Sequence, residues 1–153
     1  FIMDTEERSA AVWKARGAFL EAIKNSTSEM DEVDVVVPRS AVNEMVTYTD
    51  GLQEKLGVRI RYFGHAGDGN LHIYILRDAL SEQKWKEKLN EAMRLMYKKA
   101  GELRGQVSGE HGIGHAKMTY LEESLGETQL NLMRGIKKVF DPNGILNPMK
   151  DYQ

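Results

Sequence analysis

Residues 63–72 read Phe-Gly-His-Ala-Gly-Asp-Gly-Asn-Leu-His, a glycine-rich turn with one histidine on each side. Asp68-Gly69 is a strong short hairpin signal, because both residue types tolerate the positive φ that a tight two-residue turn requires. With those two as the turn, the register pairs Gly67 with Asn70, Ala66 with Leu71 and His65 with His72. Residues opposed in this way share one face of the ribbon, with Cβ atoms roughly 4.5–5.5 Å apart. Two imidazoles so placed can share a metal ion, since zinc, iron and manganese all accept neutral imidazole nitrogen. A hairpin that carries two histidines by chance is the plain alternative, and the turn alone favours it.

Outward from the hairpin, the elements fall into a simple order. Val58–Phe63 alternates apolar residues with arginine and enters the turn as a half-buried strand, with Leu71–Leu76 as its partner. Upstream, Val33–Val37 is β-branched, short and stopped by Pro38, which reads as a buried strand. Between them Ser40 caps a helix whose Val42, Met45, Val46, Thr49, Leu52 and Leu56 keep the helical period until Gly57. Downstream, Ser81 caps a long helix with Trp85, Leu89, Ala92, Met96, Ala100 and Leu103 on one stripe, closed by Gly105. Gln106–Ser108 is a short strand candidate. Strand, helix, strand, strand, helix, strand predicts an α+β fold, the ferredoxin-like split βαβ with both helices on one face of an antiparallel sheet.

The flanks are helical. Asp4 and Glu7 form a capping pair, and Val12, Ala15, Phe19, Ala22 and Ile23 recur at helical spacing to about Lys24. This assigns Trp13 to the core and leaves Arg16, by default, solvated or salt-bridged. Two helices follow near 116–125 and 127–140, then an irregular tail, Asp-Pro-Asn-Gly-Ile-Leu-Asn-Pro at 141–148. No repeat or internal boundary interrupts the chain, so residues 1–153 read as one domain.

Composition narrows the chemistry. Charged residues are 29% and apolar ones 41%, and no run of about 18 apolar residues offers a spanning helix. Twenty-one basic against twenty-three acidic side chains leave no basic field for nucleic acid. With no cysteine, a transition-metal site must use histidine, carboxylate and water. The chain opens at Phe1, without an initiator methionine or signal leader, and is expected to be a fragment of a longer cytoplasmic protein, with membrane contact through partners left open.

A second glycine-rich segment, Ser108 to Gly114, places three glycines around Glu110-His111. Alone it reads as a flexible loop. In a ferredoxin-like order, however, the end of the fourth strand can lie near a hairpin of the same sheet. Glu110 would then complete a two-histidine, one-carboxylate set with His65 and His72 that leaves positions open for substrate.

The motifs at 65–72, 109–114 and 141–148 together resemble the C-terminal domain of FAD-linked oxidases. These are the D-lactate, glycolate and D-2-hydroxyglutarate dehydrogenases of the vanillyl-alcohol oxidase flavoprotein superfamily. The resemblance implies an N-terminal FAD domain and a cap domain, like this one, closing the substrate site over the flavin. It implies that His65, His72 and Glu110 hold zinc, manganese or iron, and that His111 is the base removing the substrate hydroxyl proton. Arg16, in Trp-Lys-Ala-Arg, would bind the substrate carboxylate, and Asn147 and Lys150 would lie near the flavin. Some members carry lysine and tyrosine where this chain has Glu32 and Val33, and asparagine where it has Tyr74, so the resemblance leaves specificity for D-2-hydroxyglutarate open. His115 reads as a helix-start residue and Lys117 as facing the site. Asp68 and Asn70 read as turn formers.

The chemistry has its own logic. A metal bound to a 2-hydroxy acid lowers the hydroxyl pKa, a histidine takes the proton, a guanidinium grips the carboxylate, and a cofactor must accept the hydride. No Gly-x-Gly-x-x-Gly or phosphate loop occurs, so these residues alone should hold no FAD and show no turnover. An electron-transferring flavoprotein, a quinone or an iron–sulfur subunit would each suit as the next acceptor. The competing readings are a stand-alone metal-binding or interaction subunit and, more weakly, metal-assisted hydrolysis without the helical His-Glu-x-x-His.

Overall fold

The computed structural model describes residues 4–148, an α+β domain. The helices are α1 (Glu6–Gly17), α2 (Phe19–Lys24), α3 (Val42–Leu56), α4 (Glu82–Glu102), α5 (Met118–Ser124) and α6 (Glu127–Phe140). The strands are β1 (Met30–Val36), β2 (Arg59–His65) and β3 (Asn70–Leu76), antiparallel in the order β1-β3-β2. β3 is central, and all seven of its residues are buried.

Strand alternation divides the sheet into two unlike faces. Val33 and Val35 of β1, Ile60 of β2 and Leu71, Ile73 and Ile75 of β3 face α3 and α4, meeting Met45, Leu52, Leu56, Trp85, Ala92, Met96 and Ala100. The opposite face carries Glu32 and Asp34 of β1, Phe63 and His65 of β2, and His72 and Tyr74 of β3. α1 and α2 approach that second face, with the Phe19 ring edge-on to Phe63 at 6.2 Å.

The long helices sit where the sequence places them. Ser81 is the N-cap of α4, its hydroxyl accepting from Lys84 N–H, and α6 has the expected bounds. Gly57 ends α3 in the left-handed region at φ 60°. Gly57→Ala is expected to cost about 1 kcal/mol, because a Cβ disfavours that conformation. Chemical denaturation would show it as a lower midpoint at unchanged slope.

Several expectations are corrected. The N-terminal helix is two pieces broken at Ala18. Its cap is Thr5, whose hydroxyl accepts from Arg8 N–H, and not an Asp4–Glu7 pair; Asp4 pairs with Arg8 at 2.6 Å. Trp13 is not core: it is 62% exposed, and neither α1 nor α2 buries a residue fully. Ser40 lies in a 3-10 turn (Arg39–Ala41), and α3 starts without a side-chain cap. The hairpin loop has four residues, because Asp68 N–H and Gly69 N–H both donate to the His65 carbonyl, at 2.9 and 3.0 Å. His65 therefore opposes Asn70, and His72 opposes Phe63. Asn70 is a buried strand residue rather than a turn former.

The fourth strand is reduced to one antiparallel bridge, Gln106 with Val36 at the edge of β1. Arg104, at φ 61°, turns the chain into that contact, and Ser108 turns it out again by donating to Asp34. α5 begins at Met118, leaving His115 in the preceding turn.

Candidate functional site

The site lies on the sheet face away from α3 and α4, between α1 and the segment 108–117. Each side chain arrives by a local rule. Strand parity puts His72 and Tyr74 on this face of β3, and Glu32 and Asp34 beside them on β1, with Asp34 opposing His72 and Glu32 opposing Tyr74. His65 ends β2 on the same face, diagonal to His72, with ring centroids 5.8 Å apart. A diagonal pair remains within reach for long side chains.

Glu110 and His111 come from the glycine-rich loop, which one buried carboxylate holds. Asp34 Oδ2 accepts from Ser108 Oγ at 2.8 Å, from His111 N–H at 2.9 Å and from Glu110 N–H at 3.3 Å, with Lys117 Nζ 3.8 Å away. Burial pushes the Asp34 carboxyl up, but those donors and the Lys117 charge outweigh it and hold the carboxyl below its ordinary range. The loop presses close to the sheet: a Cβ on Gly109 would stand 2.0 Å from Asn70 Oδ1, so only glycine fits.

The result is a convergence on one oxygen. Glu110 Oε1 is 3.0 Å from His72 Nε2, 3.7 Å from His65 Nε2 and 3.8 Å from His111 Nε2. His72 is almost fully buried, whereas Glu110, His65 and His111 are each partly open to solvent. The His72 and His111 rings stack at 4.8 Å and 23°. Arg16 reaches in from α1, its Nη2 3.3 Å from His65 Nδ1 and its guanidinium over the Trp13 ring at 5.6 Å.

Glu32 is the residue that sequence reading missed. Its Oε1 is 3.1 Å from His72 Nδ1 and accepts from the Tyr74 hydroxyl at 3.1 Å, and its Oε2 is 3.3 Å from His111 Nδ1. Burial, and then the Glu32 charge, push the Tyr74 hydroxyl up, so it stays a donor. Phe63 stacks on Tyr74 at 5.4 Å and tilts against His72 at 5.6 Å, walling the site on the β2 side.

Two groups here could hold a metal ion: His65, His72 and Glu110, and Glu32, His72 and His111, each with ligand atoms within 4.8 Å of one another. Five of the expected site residues, Arg16, His65, His72, Glu110 and His111, thus come together. Asn147, expected near a flavin, is a tail residue. It lies at φ 47° in the tail after α6, which Asp141 folds back by accepting from Ile145 N–H at 3.0 Å and Leu146 N–H at 2.9 Å. Lys150 lies outside the described residues.

The chain resembles several known proteins along nearly its whole length. The chain is 50% identical over 149 residues to a D-lactate dehydrogenase of Anaerostipes hadrus, covering 97% of this chain and 31% of that protein. It is 38% identical over 146 residues to the glycolate oxidase subunit GlcD of Bacillus subtilis, covering 95% of this chain and 31% of the subunit. Over 149 residues it is 33% identical to a D-2-hydroxyglutarate dehydrogenase of Stutzerimonas stutzeri, covering 95% and 32%. The chain therefore spans about a third of the length of these relatives. Residues 1–150 match the family described as FAD linked oxidases, C-terminal domain, and the chain belongs to that family.

Proposed function

We propose that this chain is the metal- and substrate-binding domain of an FAD-dependent 2-hydroxy acid dehydrogenase of D-lactate or glycolate type. The observation that carries the reading is the meeting of two imidazole nitrogens and a carboxylate oxygen beside a guanidinium, on one open sheet face. The longer protein would add an N-terminal FAD domain. The exposed apolar residues Trp13 and Phe19 on α1 and α2, and Leu132, Ile136, Val139 and Phe140 on α6, suit burial against such a domain. A ferredoxin-like ancestry suits the β1-β3-β2 order with Gln106 bridged to the outer edge of β1.

His65, His72 and Glu110 would hold zinc, manganese or iron, and their donor set of two nitrogens and one oxygen fits all three. They are favoured over the Glu32 group because Glu32 Oε1 already accepts from the Tyr74 hydroxyl at 3.1 Å. When bound, the ion supplies Lewis-acid polarisation of the substrate hydroxyl. Arg16 binds the substrate carboxylate through paired N–H donors and orients the α-carbon. His111 accepts the hydroxyl proton at Nε2. Phe63 and Tyr74 restrict water on the β2 side. The flavin supplies the hydride acceptor that no side chain here can provide. The negative Glu32 beside the site favours a monocarboxylate over a substrate with a second carboxylate. A quinone, an electron-transferring flavoprotein or an iron–sulfur subunit would then reoxidise the flavin. No helix among the described residues is long and apolar enough to cross a membrane.

The test is turnover by the full-length holoenzyme with D-lactate and glycolate and an artificial electron acceptor. Arg16→Ala is expected to raise KM about 10–100-fold, the loss of a charge-assisted contact of roughly 1.5–3 kcal/mol, with a smaller change in kcat. No oxidation of any small 2-hydroxy acid by the intact protein would overturn the reading.

A further inference from the structure

A cleft of about 500 Å³ opens between α4 and α5 and is closed at one end by residues 105–107. It lies beside α4, across the sheet from His65, His72 and Glu110, and the metal and substrate assignments leave it unused. From α4 come Arg94, Tyr97, Lys98 and Gly101, at the i, i+3, i+4 and i+7 spacing of one helical face, and from α5 come Tyr120 and Glu123. The Tyr97 and Tyr120 rings meet at 4.4 Å and 37°, bridging the two helices. A volume of this size suits a small organic molecule.

The lining gives the occupant its chemistry. Arg94 and Lys98 stand four residues apart on one helix face, where like charges repel, and neither forms an ion pair among the described residues. Against these two cations the lining sets one carboxylate, Glu123, so the cleft stays net positive. Tyr97 is 4% exposed and its hydroxyl has no hydrogen-bond partner, while burial pushes that hydroxyl up and keeps it a donor. Such a group is costly to bury without an acceptor. Gly101 lies within α4 on helical backbone, and a Cβ there would meet nothing within 4 Å. Glycine is a poor helix former, and neither φ nor packing requires it here; its missing side chain leaves room in the cleft.

We infer that this cleft is a second ligand site that takes an aromatic monocarboxylate, with the carboxylate between Arg94 and Lys98 and the ring against Tyr120 and Gly101. A monoanion is favoured over a phosphate ester because Glu123 offsets one of the two cations. Val107 precedes and Tyr120 follows the loop that carries Glu110 and His111, so an occupant braces both ends of that loop. The inference does not rest on the proposed function.

The experiment is isothermal titration of the intact protein with naphthoate, its neutral counterpart naphthamide and naphthyl phosphate, with thermal melting of the same samples. The expected result is one naphthoate per chain, weaker binding of the amide and the phosphate, and a Tm that rises with naphthoate concentration. Arg94→Ala combined with Lys98→Ala should weaken naphthoate at least about tenfold, the scale of one lost charge-assisted hydrogen bond. Gly101→Leu favours the helix while filling the cleft, so it should abolish binding without lowering the Tm of the free protein. Arg16→Ala should leave naphthoate binding unchanged, which separates this cleft from the proposed substrate position. The inference is overturned by no naphthoate binding to the folded protein, by unchanged binding in either cleft variant, by loss of binding in Arg16→Ala, or by an amide or phosphate that binds as tightly. A protein that takes naphthoate in this cleft but oxidises no 2-hydroxy acid would keep the inference and overturn the proposed function.

Discussion

Glu110→Ala is expected to abolish stoichiometric metal binding by the chain while leaving it folded. Its Oε1 lies within 3.8 Å of a ring nitrogen from each of His65, His72 and His111, so its loss removes the anionic member of the set. Losing only an outer partner of a metal ligand costs about 10–100-fold in affinity, so losing the ligand itself should cost at least roughly 100-fold. The side chain is half exposed, and surface changes of this kind stay within about 0.5 kcal/mol of stability. Elemental analysis and isothermal titration with zinc or manganese read the first effect, and thermal melting reads the second. Full metal retention in Glu110→Ala, together with loss in Glu32→Ala, would move the site to the Glu32, His72 and His111 group instead.

The second large effect falls on a residue that would touch neither metal nor substrate. Asp34→Ala removes the common acceptor of Ser108 Oγ, Glu110 N–H and His111 N–H and leaves Lys117 without a carboxylate at 3.8 Å. Hydrogen bonds to a charged group contribute about 1.5–3 kcal/mol each, and they are not additive within one cluster. A loss near 3 kcal/mol is expected, or roughly 6–12 °C in Tm for a domain of this size. Metal affinity should fall with it, because the loop carrying Glu110 loses its anchor. The acid limb gives a separate check. The Asp34 carboxyl is held below its ordinary value of 3.8, so its contribution is complete at neutral pH and is lost only as pH falls through the lower folded value. A Tm within 2 °C of the natural chain would show that the loop is held by something other than Asp34.

The site was more legible in the sequence than the hairpin geometry was. The expected register differs from the observed one by two residues, and strand side chains alternate with period two, so that slip keeps every side chain on its own face. His65 and His72 therefore remain together although they are diagonal rather than opposed. A slip of one would have sent them to opposite sides. The same parity could have found Glu32 and Asp34, which alternate with Val33 and Val35 along β1. Reading Glu32 only as a departure from a family pattern hid that signal. α4 was legible because a cap and an apolar stripe coincide there. Trp13 was not, because helical spacing shows that a face is apolar but not what covers it. Gln106–Ser108 has strand composition, yet hydrogen bonds to Asp34 take its backbone out of the sheet after one pair.

The contact between Arg16 and His65 has a consequence for the order in which the site assembles. A guanidinium can only donate, so the nitrogen it meets, His65 Nδ1, supplies the lone pair, and a neutral ring then carries its hydrogen on Nε2. That is the nitrogen that faces Glu110. An ion captured there would claim the lone pair at Nε2 and leave a hydrogen at Nδ1, with which the guanidinium cannot bond. On the proposed reading, Arg16 and the ion would be rivals for a single imidazole, and filling the metal position would release the guanidinium to meet a carboxylate. Occupancy would run metal first and substrate second, with Arg16 as the latch between them.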